Sequence, residues 1–396
     1  MQQRKFSSLQ AKILTVCFIV YFCAYIGRLN MSASLDSIMA DLNIMETLGG
    51  TLQTVFAVVY ACGQFVFGAI VDRIYPKRLI LLGLAGSCIC NLAFSFAGSI
   101  TLLIVLWALN GAFQSMLWTP IVRYLAAHFE GERRKRASFT MSFTLALGHI
   151  AAWGAAEAMI RIFEWRYAFR LPALVLLTAG AIAAAFLPSI GPGGQKSNQN
   201  YRKPTKMQLN ALLGTGLAFV LVCSMTNGFL RDGVITWGPT ILLADDGMFT
   251  LIIPVINLIG IIIGATLVRL IKKNLRTVAG MMMGACTLPA VMLFLFPNAP
   301  LFVLAVFLGT LSAILYGSNT LFTVLIPMEY DKAGRVGLAA GLVDSLIYVG
   351  SALAGTLTGF IRETSGTWQY VYGIWALFAV VGAACAFLSV KGSKKL

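Results

Sequence analysis

The chain has 396 residues, 58% of them hydrophobic and only 11% charged, with mean hydropathy +0.82 and a formal net charge of +15. A soluble globular protein carries about 25% charged residues, so this composition excludes a soluble domain and predicts an all-α polytopic membrane protein. All eight cysteines sit in apolar runs, and His128 and His149 form no cluster, which excludes a disulfide framework and a metal site and leaves no cofactor to expect.

Twelve apolar segments are predicted as helices, at 10–38, 46–72, 77–97, 100–127, 137–163, 167–188, 207–241, 248–270, 277–296, 299–327, 334–362 and 368–390. The first should stay in the membrane rather than act as a signal peptide, because it runs long without a convincing small-residue cleavage site. The longest polar stretch, 191–206, is too short to fold alone and reads as a linker between a six-helix half at 1–190 and another at 207–396. Of the 30 Lys and Arg residues, 23 fall on the side of the N-terminus, the even-numbered gaps and the C-terminus. Four (Arg161, Arg166, Arg170 and Arg362) fall on the other side, and Arg28, Arg123 and Arg231 lie within segments. Basic loops mark the cytoplasmic face, so both termini are expected there, in a cell (inner or plasma) membrane. Clustering in alternate short loops also argues against nucleic acid as the reason for the positive charge.

Candidate functional residues follow in chain order. Arg28 sits deep in segment 1, where an arginine costs roughly 2.5–3.5 kcal/mol on insertion scales and usually faces a cavity. Its fork suits phosphate, sulfonate or carboxylate; the plain alternative is an ion pair with Glu157 or Asp344. Segment 2 closes on Gly68-x-x-x-Asp72-Arg73 followed by Lys77 and Arg78. Arg123, near the cytoplasmic end of segment 4, is within reach of Asp72, and a latch between them is expected, with Arg73 as a further gate residue. His149, Trp153 and Glu157 are spaced by four on segment 5 and read as one cavity-lining stripe. Arg231 in segment 7 occupies the position equivalent to Arg28. Asp232 beside it points about 100° away and need not pair with it. Asp344 and Tyr348 form an i, i+4 pair on segment 11, whose glycines permit close helix packing.

The chain repeats itself at an offset near 200 residues: Gly264-x-x-x-Val268-Arg269 with Lys272, Lys273 and Arg276 echoes the segment 2 motif, and Arg231 echoes Arg28. Parallel repeats of this kind are a plan of secondary transporters, with substrate bound between the repeats near the bilayer midplane.

The two-half plan and "GAIVDRIYPKR" resemble the major facilitator superfamily. Within it, "YFCAYIGRLN", "NGAFQSMLWTPIVRYL" and "FLRDGVITWGPT" resemble the organophosphate:phosphate antiporters of glycerol 3-phosphate and hexose phosphates. The resemblance implies a twelve-helix major facilitator fold. It implies that Arg28 and Arg231 bind phosphate, that Tyr21 and Tyr25 line the pocket, that His149 lies beside it, and that Trp118 and Trp237 are cavity aromatics. Three positions depart from the pattern: Gln64 stands where some members have a lysine, and the acids Glu157 and Asp344 are additional.

The resulting expectation is a secondary transporter and not an enzyme, since the sequence has neither a P-loop nor a nucleophile constellation. It would exchange a small phosphorylated anion for inorganic phosphate by alternating access, as a monomer in the lipid bilayer. Two arginines brought to about 10 Å repel by roughly 1.7 kcal/mol at an effective dielectric of about 20, and a bound dianion would bridge them. Two alternatives remain open: proton-coupled symport of a carboxylate, sulfonate or zwitterion, with Glu157 or Asp344 carrying the proton, and a transporter-like sensor of such an anion.

Overall fold

The computed structural model describes residues 6–44, 46–191, 213–242, 248–271, 274–331 and 334–393. Among these the regular structure is entirely helical. In chain order the helices are α1 (Ser8–Leu42), α2 (Glu46–Ile70), α3 (Pro76–Phe94), α4 (Ile100–Gln114), α5 (Trp118–His128), α6 (Gly131–Ile162) and α7 (Tyr167–Phe186). After them come α8 (Ala218–Ile241), α9 (Met248–Leu270), α10 (Leu275–Leu295), α11 (Leu301–Thr320), α12 (Val336–Ser365) and α13 (Gln369–Ser393). Among the described residues, eleven continuous helical stretches are long and apolar enough to cross a membrane, and Val255–Leu270 is a shorter apolar helix. The chain is a multi-pass membrane protein.

Local chemistry explains the element ends. Ser7 and Gln10 form a reciprocal capping box at the start of α1, and Asn43 in the left-handed region (φ 48°) stops that helix. Segment 4 is one apolar run broken into α4 and α5. Pro120 cannot donate to the Met116 carbonyl and its ring crowds that turn, so the chain kinks at 115–117. Segment 10 behaves alike: α11 runs into a π-turn, Leu321–Leu325, just before Pro327. The basic stretch after α5 is not the loop expected from sequence. Gly131 (φ 52°) turns the chain, and α6 then starts at once, carrying Arg133 to Arg136 in its opening turns. Arg134 anchors it by donating to the Phe129 and Ala126 carbonyls at 2.7 and 3.0 Å.

The chain divides into two units: Met1–Asn198 with Gly334–Gly341, and Gln199–Ala333 with Leu342–Leu396. The expected linker, 191–206, lies from residue 192 onward outside the described residues. In the first unit α1 packs on α6 and α7, α3 on α7 and α4, and α2 on α4. In the second, α8 packs on α13, α10 on α13 and α11, and α9 on α11. Counted by segment, these contacts repeat: first on sixth, second on fourth, third on fourth and sixth. The sequence repeat is therefore a repeat of packing. Where α8 meets α12, Gly228 and Gly350 have no room for a side chain: an added Cβ would strike the carbonyls of Ile347 and Met225. Backbones meet this closely because lipid supplies no hydrophobic drive, so helices associate through contact and polar bonds. The large apolar side chains that remain exposed, such as Ile89, Phe96 and Phe302, suit that solvent.

Candidate functional site

In the first unit the site is built around Arg28, which is 7% exposed. Its guanidinium carbon lies 4.5 Å from the ring centre of Tyr60, 5.1 Å from Tyr25, 5.6 Å from Phe56 and 6.0 Å from Tyr21. These rings turn their negative faces to a cation that the bilayer interior would otherwise penalise. The Tyr21 ring sits 4.5 Å from that of Trp118, and the Tyr25 ring 6.3 Å from that of His149. His149 lies 6.3 Å from Trp153, whose indole donates to Ser32 Oγ at 3.2 Å. His149 Nδ1 is 3.0 Å from the Leu145 carbonyl; a carbonyl only accepts, so Nδ1 carries the proton. The buried Trp118 Nε1 finds no acceptor among the described residues, so the cage keeps a spare donor.

A polar frame sets Arg28 in place. Its Nε and Nη2 both donate to Gln114 Oε1, at 3.3 and 3.1 Å. The Gln114 amide nitrogen donates in turn to the Ala24 carbonyl at 3.0 Å and to Ser87 Oγ at 2.9 Å. Ser87 donates to Asn110 at 2.6 Å, and Asn110 and Asn91 both donate to the Gly27 carbonyl, at 3.0 and 3.1 Å. All four frame residues are fully buried. The Ala24 and Gly27 carbonyls of α1 are thus fixed by side chains of α3 and α4. Gln64, in the place of the family lysine, bridges the Tyr60 hydroxyl (2.8 Å) and the Thr119 hydroxyl (2.7 Å). Sequence reasoning missed Tyr60, Phe56 and this frame. The signal was present as four uncharged polar residues (Ser87, Asn91, Asn110 and Gln114) in otherwise apolar segments.

In the second unit Arg231 is 7% exposed and is held by three acceptors. Nε and Nη2 donate to Asp232 Oδ1 and Oδ2 at 2.7 and 3.0 Å, and Nη1 donates to Asn319 at 2.9 Å. Adjacent residues do pair here, against expectation, because both side chains are flexible enough to fold back across the angle between them. Tyr316 and Tyr348 lie close enough to act on Arg231 electrostatically. Asp344, 5% exposed, sits one turn before Tyr348. The Trp237 ring lies 5.8 Å from the Trp368 ring.

Glu157 does not join the predicted stripe. It is exposed and forms an ion pair with Arg161 at 2.6 Å. Each i, i+4 step rotates the side chain by about 40°, so two steps carry Glu157 about 80° away from the direction of His149. Asp72 and Arg123 are both buried and form the expected pair at 3.1 Å. Asp72 also accepts from the backbone N–H groups of Gly337 and Leu338, which belong to the same unit. Arg73 is exposed. Arg276, read from sequence as one more loop cation, is fully buried. It pairs with Glu329 at 3.1 Å and donates to the carbonyls of Thr215 (2.6 Å) and Ser389 (2.9 Å) and to the Tyr330 hydroxyl (3.1 Å). It ties the π-turn Leu213–Leu217 to the ends of the neighbouring helices, a structural hub.

Residues 17–336 match the Major Facilitator Superfamily. The chain is 25% identical to a glycerol-3-phosphate transporter of Bacillus subtilis over 90% of its own length and 87% of that protein's. A membrane sensor protein, UhpC, of Salmonella typhimurium is 22% identical over 95% of this chain and 90% of its own. A probable hexose phosphate transport protein of Chlamydia trachomatis is 23% identical over 46% of this chain and 40% of its own. A repeated helical packing, arginines seated in membrane-spanning helices of both units, and a family match across most of the length agree: this chain belongs to the major facilitator superfamily, as a membrane transporter rather than an enzyme, in the branch that resembles the organophosphate carriers.

Proposed function

We propose that this protein exchanges a small phosphorylated metabolite for inorganic phosphate by alternating access, each half supplying one arginine, Arg28 or Arg231, to the anion. The observation that carries this reading is the seating of Arg28: a buried guanidinium framed by Gln114 and ringed by tyrosines on membrane-spanning helices. Along its Nε/Nη2 edge Arg28 rests on the neutral Gln114 amide oxygen, and the tyrosines around it, Tyr21 and Tyr25, contact Trp118 and His149 in turn. The relatives named as glycerol-3-phosphate and hexose phosphate transporters support the cargo class.

In this reading Tyr21, Tyr25, His149 and Trp153 line the path on the first half, and Tyr348 and Asp344 on the second. Asp72, Arg73 and Arg123 act as a cytoplasmic gate, and both termini face the cytoplasm. Glu157 is dropped from the site. The test is exchange in phosphate-loaded proteoliposomes: external glycerol 3-phosphate should release internal labelled phosphate. No release with glycerol 3-phosphate or any hexose phosphate would refute it. A sensor role is the second reading, favoured by the likeness to UhpC along the chain; it expects binding of the same anions without exchange. Proton coupling through the buried Asp344 is the third, and expects uptake driven by a pH gradient alone.

A further inference from the structure

The two arginines are held along the same edge, by acceptors of different charge. In the first unit the Nε/Nη2 edge of Arg28 rests on the neutral amide oxygen of Gln114. In the second, the Nε/Nη2 edge of Arg231 rests on the two carboxylate oxygens of Asp232. That edge offers two parallel N–H bonds, the arrangement that matches two oxygens of a phosphate or carboxylate. On Arg28 that edge meets a neutral acceptor, Gln114, and on Arg231 it meets the negative charge of Asp232. The acid is also the more accessible partner, its side chain 28% exposed against 8% for Arg231.

Building on the transport reading above, we propose that Asp232 determines specificity, acting as an internal oxyanion on Arg231 that favours cargo carrying an ammonium group beside its phosphate. Such a cargo replaces both sides of the pair: its oxyanion takes the guanidinium edge, and its ammonium takes the carboxylate that swings away. A plain phosphate dianion replaces only one side and leaves a displaced carboxylate next to a second negative group. In the low-dielectric interior that repulsion is strong. Asp232 is adjacent to Arg231 on α8, so it moves aside only by a change of side-chain rotamer and stays near whatever binds.

The test compares three probes, 2-aminoethyl phosphate, glycerol 3-phosphate and inorganic phosphate, by dissociation constant on the purified full-length protein. Wild type should bind 2-aminoethyl phosphate at least tenfold more tightly than glycerol 3-phosphate. Asp232→Asn keeps an acceptor on the edge and removes the charge. It should cut that preference tenfold or more, mainly by tightening glycerol 3-phosphate and phosphate. Asp232→Glu should retain the preference. An unchanged ratio in Asp232→Asn overturns the proposal. Loss of all three probes by an Asp232→Asn protein that melts like wild type also overturns it, since Asp232 would then only prop Arg231. Should Asp232→Asn fail to fold, Asn319→Asp decides: a second acid on the Arg231 Nη1 side should raise the preference for 2-aminoethyl phosphate about tenfold, and no rise overturns the proposal. A wild type that binds none of the probes defeats the phosphate reading as well, whereas binding without the ratio change defeats only the role of Asp232.

Discussion

Gln114 offers the sharpest perturbation of the Arg28 frame. Gln114→Leu conserves volume approximately, removes the acceptor for Arg28 Nε and Nη2, and strips donors from the Ala24 carbonyl and Ser87 Oγ. Two effects follow. Arg28 loses a contact that helps to order it, and that share of the ordering must then be supplied by the bound anion, at up to about 2 kcal/mol for an arginine side chain. That is roughly a 30-fold rise in the cargo dissociation constant. Separately, a buried hydrogen bond to a charged group contributes about 1.5–3 kcal/mol to the fold, so the melting temperature should fall as well. Exchange kinetics in proteoliposomes separate the two, since only inserted, folded protein is counted there. KM should rise by about 30-fold in Gln114→Leu and stay near wild type in Gln114→Asn if the shorter amide still reaches. A KM within twofold of wild type for Gln114→Leu would refute the reasoning and leave Gln114 as scaffold.

Other residues yield distinct outcomes. Arg276→Met removes a fully buried guanidinium from the partly buried Glu329 and from the Thr215 and Ser389 carbonyls, and should destabilise the protein by about 3–5 kcal/mol; melting in detergent checks this, and a small shift would mean that water reaches the site. Asp72→Asn removes the charged partner of Arg123 and weakens acceptance from the Gly337 and Leu338 N–H groups. Cysteines placed beside Asp72 at the end of α2 and beside Gly337 at the start of α12 should then label faster, with cargo affinity little changed; unaltered labelling would rule out a latch. Glu157→Gln should leave exchange and stability unchanged within experimental scatter, because an exposed i, i+4 pair contributes only about 0.3–0.5 kcal/mol. A large loss of transport would return Glu157 to the site.

Much of this molecule was legible because the bilayer restricts what a sequence can do. Backbone groups in hydrocarbon must bond internally, so apolar runs become helices, and an arginine inside one is conspicuous. Arg28, Tyr21, Tyr25, His149 and Trp153 come together in the first unit because turn spacing on α1 and α6 is reliable over one or two turns. The same reasoning failed for Glu157, where the rotation accumulated over two steps. It failed for Asp232 because a mean angle between neighbours says little about two long, flexible side chains. Tyr60, Gln114 and Arg276 were illegible in their roles. Each acts on residues far along the chain, and only the packing of α2 and α4, or of α10 against α13, brings those partners within bonding distance.

The central claim is that the Arg28 and Arg231 forks bind the oxyanion of the cargo. The most direct measurement is phosphate exchange in proteoliposomes with Arg28→Lys and Arg231→Lys, alongside the melting temperature of each. Lysine keeps the charge and loses the paired N–H groups. Exchange should fall below detection in both variants while each still inserts and melts within a few degrees of wild type. Near-normal exchange by either variant would contradict the account, because that arginine would then be a structural charge and not part of the anion site.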